Sequence, residues 1–219
     1  MRHLIERVLE LADDEEGPSI RPTSVEEMES NDAELKRLLE SLQPRIRVYG
    51  VGGAGCNAVS RLHEEGLFGN RYVTGHAINT DAQALLMSPL ENKILIGRTA
   101  RGRGAGGDPT KGEAAALESE NNLRKITDDT QLAIITAGMG GGTGTGAAPI
   151  IAKAAKDLNI LTFAIVTKPF MFEGPGRIRV AEKGLEELKN YVDTSIIIPN
   201  QNLFKIADDK TTYTDAFKM

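Results

Sequence analysis

Cysteine occurs once in these 219 residues, at position 56, and tryptophan not at all. A lone cysteine excludes a disulfide framework and agrees with a reducing, cytoplasmic compartment. Its place beside a glycine loop admits a reactive thiol, although a small buried filler is the commoner use of such a residue. No apolar run approaches the length that spans a bilayer. Met1-Arg2-His3 leads into an acidic amphipathic segment, which is not the pattern of a signal peptide. Direct membrane insertion is therefore not expected. Basic excess is missing too: the net charge is −5, with 26 Lys and Arg against 31 Asp and Glu, which leaves no patch for nucleic acid. No internal repeat is visible, which excludes a solenoid or a propeller.

Charge is instead segregated along the chain. Residues 1–44 carry twelve acids and five bases, a net −7, and leave +2 for the remainder. Within this acidic arm Leu4, Ile5, Val8, Leu9 and Leu11 are spaced as one amphipathic helix. Leu35, Leu38, Leu39 and Leu42 are spaced as a second, which Asn31 would cap with Glu34 completing a capping box. Gly17-Pro18-Ser19 and Arg21-Pro22-Thr23 separate the two. Such an arm serves either as a helical extension packed on a domain or as a partner-binding segment.

From Arg45 onward apolar runs alternate with helical stretches. Strands are predicted over 46–51, 73–78, 93–97, 132–137, 161–167 and 194–199, and helices over 57–65, 110–126, 147–158 and 177–191. That alternation predicts an α/β fold, a three-layer parallel sheet flanked by helices, with a helical extension over 1–44 and a ligand-binding domain over 45–219. Ligands are expected at the carboxyl ends of the strands. With 40% hydrophobic residues the chain can bury a proper core.

The densest feature is Gly138-Met139-Gly140-Gly141-Gly142-Thr143-Gly144-Thr145-Gly146, six glycines in nine residues behind an apolar strand. Residues without Cβ let backbone N–H groups approach a ligand closely, and a helix after the loop turns its positive end to the same point. Thr143 and Thr145 add hydroxyl donors, and Pro149 falls near the first helical turn. A polyphosphate is the expected guest. No Gly-Lys-Ser/Thr follows, so the usual P-loop is excluded. Gly50-Val51-Gly52-Gly53-Ala54-Gly55 satisfies the dinucleotide fingerprint, so a nicotinamide-dependent oxidoreductase is the alternative. Asn79-Thr80-Asp81-Ala82, however, reads as a loop with a capped helix start, and the richer second loop would have no task in such an enzyme.

Taken together, these loops resemble the tubulin/FtsZ family. Gly140 to Gly146 carries its motif. Gly52-Gly53-Ala54-Gly55-Cys56-Asn57, Ala77-Ile78-Asn79-Thr80-Asp81-Ala82, Gly102-Arg103-Gly104-Ala105-Gly106-Gly107-Asp108-Pro109, Pro169-Phe170-Met171-Phe172-Glu173-Gly174 and Ile198-Pro199-Asn200 follow the family's other loops in order. The resemblance covers about residues 45–219, while the arm is similar to extensions of archaeal members.

The resemblance implies a site for GTP or GDP, with Mg²⁺ on the triphosphate and no metal site of the protein's own. Gly53, Ala54 and Asn57 would line the first loop, with Asn57 toward the base or ribose, and Ala82 would bound the phosphates. Ala105, Gly106 and Gly107 would close over the γ-phosphate. Gly140, Gly141, Gly142, Thr143 and Gly144 would hold the α- and β-phosphates. Glu173 and Arg177 would clasp the ribose edge, Asn200 would read guanine, and Phe217 would stack on the purine.

It further implies a cytoplasmic cell-division GTPase that assembles head to tail at the division site with ring partners. The family continues past Asp215-Ala216-Phe217 into a central helix and an acidic loop. The expectation for this chain is therefore the nucleotide-binding half, with no catalytic residue of its own and poor hydrolysis until an adjacent subunit supplies the acids.

Overall fold

A computed structural model describes residues 25–205. The chain divides into two units between Gln43 and Pro44, each considered by itself. In the first, helix α1 (Val25–Leu42) runs without interruption through position 31, so the expected cap at Asn31 lies inside a helix. Good helix formers on both sides of Asn31 carry the helix across it. Leu35, Leu38, Leu39 and Leu42 are exposed. The helix expected over 4–11, and the turns after it, fall outside the described residues.

The second unit is built on one six-stranded sheet: β1 (Ile46–Val51), β2 (Val73–Asn79), β3 (Asn92–Leu95), β4 (Leu132–Gly138), β5 (Leu161–Lys168) and β6 (Thr194–Pro199). Every pairing is parallel and the order is β3-β2-β1-β4-β5-β6. The chain thus winds outward from β1 to one edge, returns to lay β4 beside β1, and winds outward to the other. The direction reverses between β1 and β4, where an open parallel sheet leaves a crevice at its carboxyl edge.

Helices cover both faces, as the expected three layers require. Alternation along β1 sends Val48 into a cluster with Cys56 and Val59 of α2 (Gly52–Glu64) and Leu85 of α3 (Ala82–Met87). It sends Tyr49 and Val51 into the larger core under α4 (Pro109–Glu118), α5 (Glu120–Thr127), α6 (Thr143–Asp157) and α7 (Pro175–Lys189). None of the described helices is long and apolar enough to cross a membrane.

The helix boundaries differ from the sequence pattern where glycine or serine intervenes. Helix α2 starts at Gly52 rather than 57, and α6 at Thr143 rather than 147, because poor helix formers occupy their first turns. Pro149 is consequently interior to α6 and not in its first turn. The single helix expected over 110–126 breaks at Ser119, whose hydroxyl accepts the Gly97 N–H at 3.1 Å. Asp81 does cap a helix: its Oδ1 accepts from Gln83 N and Ala84 N at 2.9 and 3.1 Å.

Two buried polar groups show how tight this layer packing is. Cys56 is 3% exposed, and its thiol donates to the carbonyls of Gly50 and Ile78 at 3.3 and 3.5 Å. Burial pushes that thiol up to about 11, so Cys56 is the inert filler and not a nucleophile. Burial, with Arg47 second, holds the His76 imidazole down to about 4.

Two outcomes follow from this packing. A Cβ at position 55 would stand 2.3 Å from the Thr136 carbonyl oxygen. Gly55→Ala should therefore cost about 1–3 kcal/mol, read as a lowered urea midpoint. His76 binds its proton more weakly folded than unfolded, so its contribution is complete above pH 6.5 and is lost as pH falls toward 4. That loss is on the order of 3 kcal/mol and is absent from His76→Phe in urea titrations at stepped pH.

Candidate functional site

A cavity of about 330 Å³ opens at the carboxyl ends of β1 and β4, the point where the winding reverses. Its volume falls in the range of small-molecule sites. Val51 to Ala54 line one wall and Gly138 to Gly144 the other, with Thr167, Pro169, Glu173, Arg177 and Asn200 completing it.

The two glycine loops meet backbone on backbone. Gly52 has φ +71°, and a Cβ there would lie 2.8 Å from Gly144 N. A Cβ on Gly144 would lie 2.6 Å from the Gly138 carbonyl oxygen, and one on Gly138 2.7 Å from Ala54 Cβ. Gly53 and Gly141 behave differently: an added Cβ meets nothing within 4 Å, and neither has a left-handed backbone. No internal contact requires glycine at those two positions, yet both face the cavity.

Donors converge on the same space. The first bond of α6 runs from Gly146 N–H to the Gly142 carbonyl at 3.0 Å, so the N–H groups ahead of it lie at the positive, unpaired end of the helix. Thr143 Oγ1 lies 2.6 Å from Thr80 Oγ1. Thr145 is not a donor to the cavity, contrary to the sequence expectation. It is 3% exposed, and its hydroxyl accepts the Gly140 N–H at 2.8 Å, which fixes the loop from behind.

At the rim Glu173 performs two tasks. One carboxylate oxygen accepts the Phe170 N–H at 2.8 Å and closes the turn Met171–Glu173; the other holds Arg177 Nη1 at 2.5 Å. Arg177 is the more exposed partner, at 57% against 19% for Glu173. Asn200 opens the turn after β6.

Of the residues singled out in the sequence, the structure brings together Gly53, Ala54, Gly140, Gly141, Gly142, Thr143, Gly144, Glu173, Arg177 and Asn200. Asn57 does not line the cavity: it is exposed one turn further along α2, on the face that carries Gly53 and Ala54. Ala82, Ala105, Gly106 and Gly107 border the cavity without lining it. They belong to a hydrogen-bonded pair of loops in which Ala82 N–H meets the Gly102 carbonyl and Gly104 N–H the Thr80 carbonyl, both at 3.1 Å. A Cβ on Gly142 would press on Ala105 at 2.8 Å, so these loops abut the second glycine loop. Phe217 lies outside the described residues. Sequence reasoning passed over Thr167, and took Pro169 only as part of a loop motif; both reach the cavity because β5 pairs with β4, a lateral order no local pattern encodes.

The dinucleotide alternative loses its acidic residue here. The end of β2 is Asn79, buried, with its side-chain oxygen accepting from Thr80 N and Asp81 N, and the Asp81 carboxylate is committed to capping α3. Neither is offered to a ribose, and the oxidoreductase reading is not supported.

Comparison with known proteins agrees with this geometry. The family model described as "Tubulin/FtsZ family, GTPase domain" matches residues 45–208. The cell division protein FtsZ of Rickettsia bellii is 55% identical over 179 residues, covering 81% of this chain and 38% of that protein. The FtsZ of Caulobacter vibrioides is 52% identical over 179 residues, covering 81% and 35%. Among solved structures, an empty FtsZ dimer from M. jannaschii superposes with a TM-score of 0.78 at 44% identity, covering 86% of this chain and 54% of that one. CetZ2 of Haloferax volcanii, a GTPγS-bound protofilament, shares the fold with a TM-score of 0.71 at 24% identity, covering 80% and 54%. The chain spans under two-fifths of those FtsZ proteins and about half of the solved chains. With its switch-point cavity, its paired glycine loops and a family match across three quarters of its length, the chain belongs to the tubulin/FtsZ family.

Proposed function

We propose that the switch-point cavity binds GTP and GDP, and that the chain is the nucleotide-binding part of a cell-division GTPase that assembles head to tail. The observation that carries this reading is the convergence of two glycine loops and one helix N-terminus on a single cavity in a chain of this family. Bare N–H groups from Gly141 to Gly144 suit the α- and β-phosphates, with Gly140 held behind them by Thr145, and the loop Ala105–Gly107, abutting Gly142, suits the γ-phosphate. Asn200 offers an amide that can both donate to and accept from guanine, and Arg177, anchored on Glu173, reaches the ribose and phosphate edge.

Among the described residues no group of three or more His, Cys, Asp and Glu converges to hold a metal ion. Mg²⁺ therefore belongs to this reading as an ion carried by the phosphate oxygens, where it would offset their charge. Among the described residues Glu173 is the one carboxylate on the cavity wall, and both of its oxygens are engaged. Orienting and deprotonating a water thus calls for an acid from elsewhere. A neighbouring subunit docked over the mouth would supply it, coupling hydrolysis to a head-to-tail contact of the kind that builds filaments. Localisation to the division site with ring partners belongs to the same reading.

Calorimetry with GTP, GDP, ATP and NAD should give selective binding of the guanine nucleotides, and a preference for NAD would overturn the assignment. Two glycine variants separate the ligand's demand from the fold's. Gly141→Ala should keep the urea midpoint of the parent while weakening GTP about tenfold or more, because its methyl enters only the cavity. Gly144→Ala, facing a backbone oxygen, should cost about 1–3 kcal/mol of stability as well.

A further inference from the structure

A second cavity, of about 360 Å³, lies at the opposite edge of the sheet, where β1, β2 and β3 begin. Arg45, Arg47, Arg71 and Lys125 line it, and among the described residues no carboxylate does. His76 on β2 forms part of its wall although only 7% of that residue is exposed. Its Nε2 sits 3.0 Å from Thr74 Oγ1, while its Nδ1 has no hydrogen-bond partner. That nitrogen is itself closed to solvent, so the imidazole stands in the wall as a neighbour of any guest and not as its hydrogen-bond partner.

The lining cations are already held in part. Arg45 pairs with Asp129, Arg47 Nη1 donates to the Ile126 carbonyl, and Arg71 Nη2 lies 3.0 Å from the Tyr72 hydroxyl. These bonds fix the guanidinium groups without exhausting them, since each carries five N–H donors. Lys125, near the end of α5, enters no ion pair among the described residues. The wall is therefore preorganised, positive and rich in donors.

We propose that this amino-edge cavity is a binding site for a small soluble phosphate-bearing molecule, held by Arg45, Arg47 and Lys125 with Thr74 and His76 on its inner wall. Guanidinium forks and an ammonium are the groups that recognise phosphate oxygens, and the volume suits a diphosphate or a sugar phosphate. The site stands apart from the glycine loops, so it neither needs nor competes for the nucleotide.

The full chain carries three histidines, so the imidazole signals of His76 can be followed alone by ¹⁵N NMR during titration with inorganic pyrophosphate. His76 should shift saturably at constant ionic strength. Lys125→Gln should raise the dissociation constant about tenfold, Lys125→Arg should restore it, and Gly141→Ala should leave it unchanged. Three results would overturn the proposal: a His76 signal that does not move, one that moves equally with chloride, or one whose midpoint Lys125→Gln leaves alone. Movement with phosphatidic acid vesicles but not with pyrophosphate would assign the edge to a membrane headgroup and overturn the soluble ligand. A shift abolished by Gly141→Ala would place the event at the glycine loops instead.

Discussion

Everything at the carboxyl edge depends on two loops being able to touch through their backbones. Gly52 against Gly144, and Gly138 against Ala54, bring the ends of β1 and β4 closer than any side chain would allow. That proximity puts the N-terminus of α6 and the first loop on facing walls of one small cavity. Peptide dipoles supply most of the positive potential and Arg177 adds its charge only at the exposed rim, so the site can face a polyphosphate without holding a buried cation. Rigidity comes from behind: Thr145 fixes Gly140, Thr80 meets Thr143, and Glu173 closes its own turn before it holds Arg177.

Much of this was legible in the order of residues. Apolar runs between glycine loops marked all six strands, two of them to the residue, because a doubly covered parallel strand is written as a continuous hydrophobic stretch. The glycine loops were legible as well, since no other residue type makes such a density of free N–H groups. Local pattern failed where long-range packing decided. Glycine concealed the first turns of α2 and α6, and with them the true positions of Asn57 and Pro149. Ser119 split a helix because its hydroxyl serves Gly97, twenty-two residues upstream. Thr167 could be found only once the lateral order of β4 and β5 was known.

The sheet treats its two edges by different means. At the carboxyl edge the positive potential is mainly a property of backbone geometry, with Arg177 the one cation among the described lining residues. At the amino edge it is a property of side chains, with three arginines and a lysine around a buried imidazole. Parallel strands explain the difference. Helices in such a fold start at the carboxyl edge and end at the amino edge, so the latter collects helix C-termini, and cationic side chains such as Arg47, bonded to the Ile126 carbonyl, complement them.

The glycines also fall into two populations with separate histories. Gly144 is confined by neighbouring backbone, so replacing it costs stability, whereas Gly53 and Gly141 have open space around the absent methyl. A descendant that ceased to use its crevice could drift at Gly53 and Gly141 without penalty and still fold, while Gly144 stayed fixed. The identities of those two unconstrained positions are thus a fossil record of occupancy, readable in any member of the lineage without an assay.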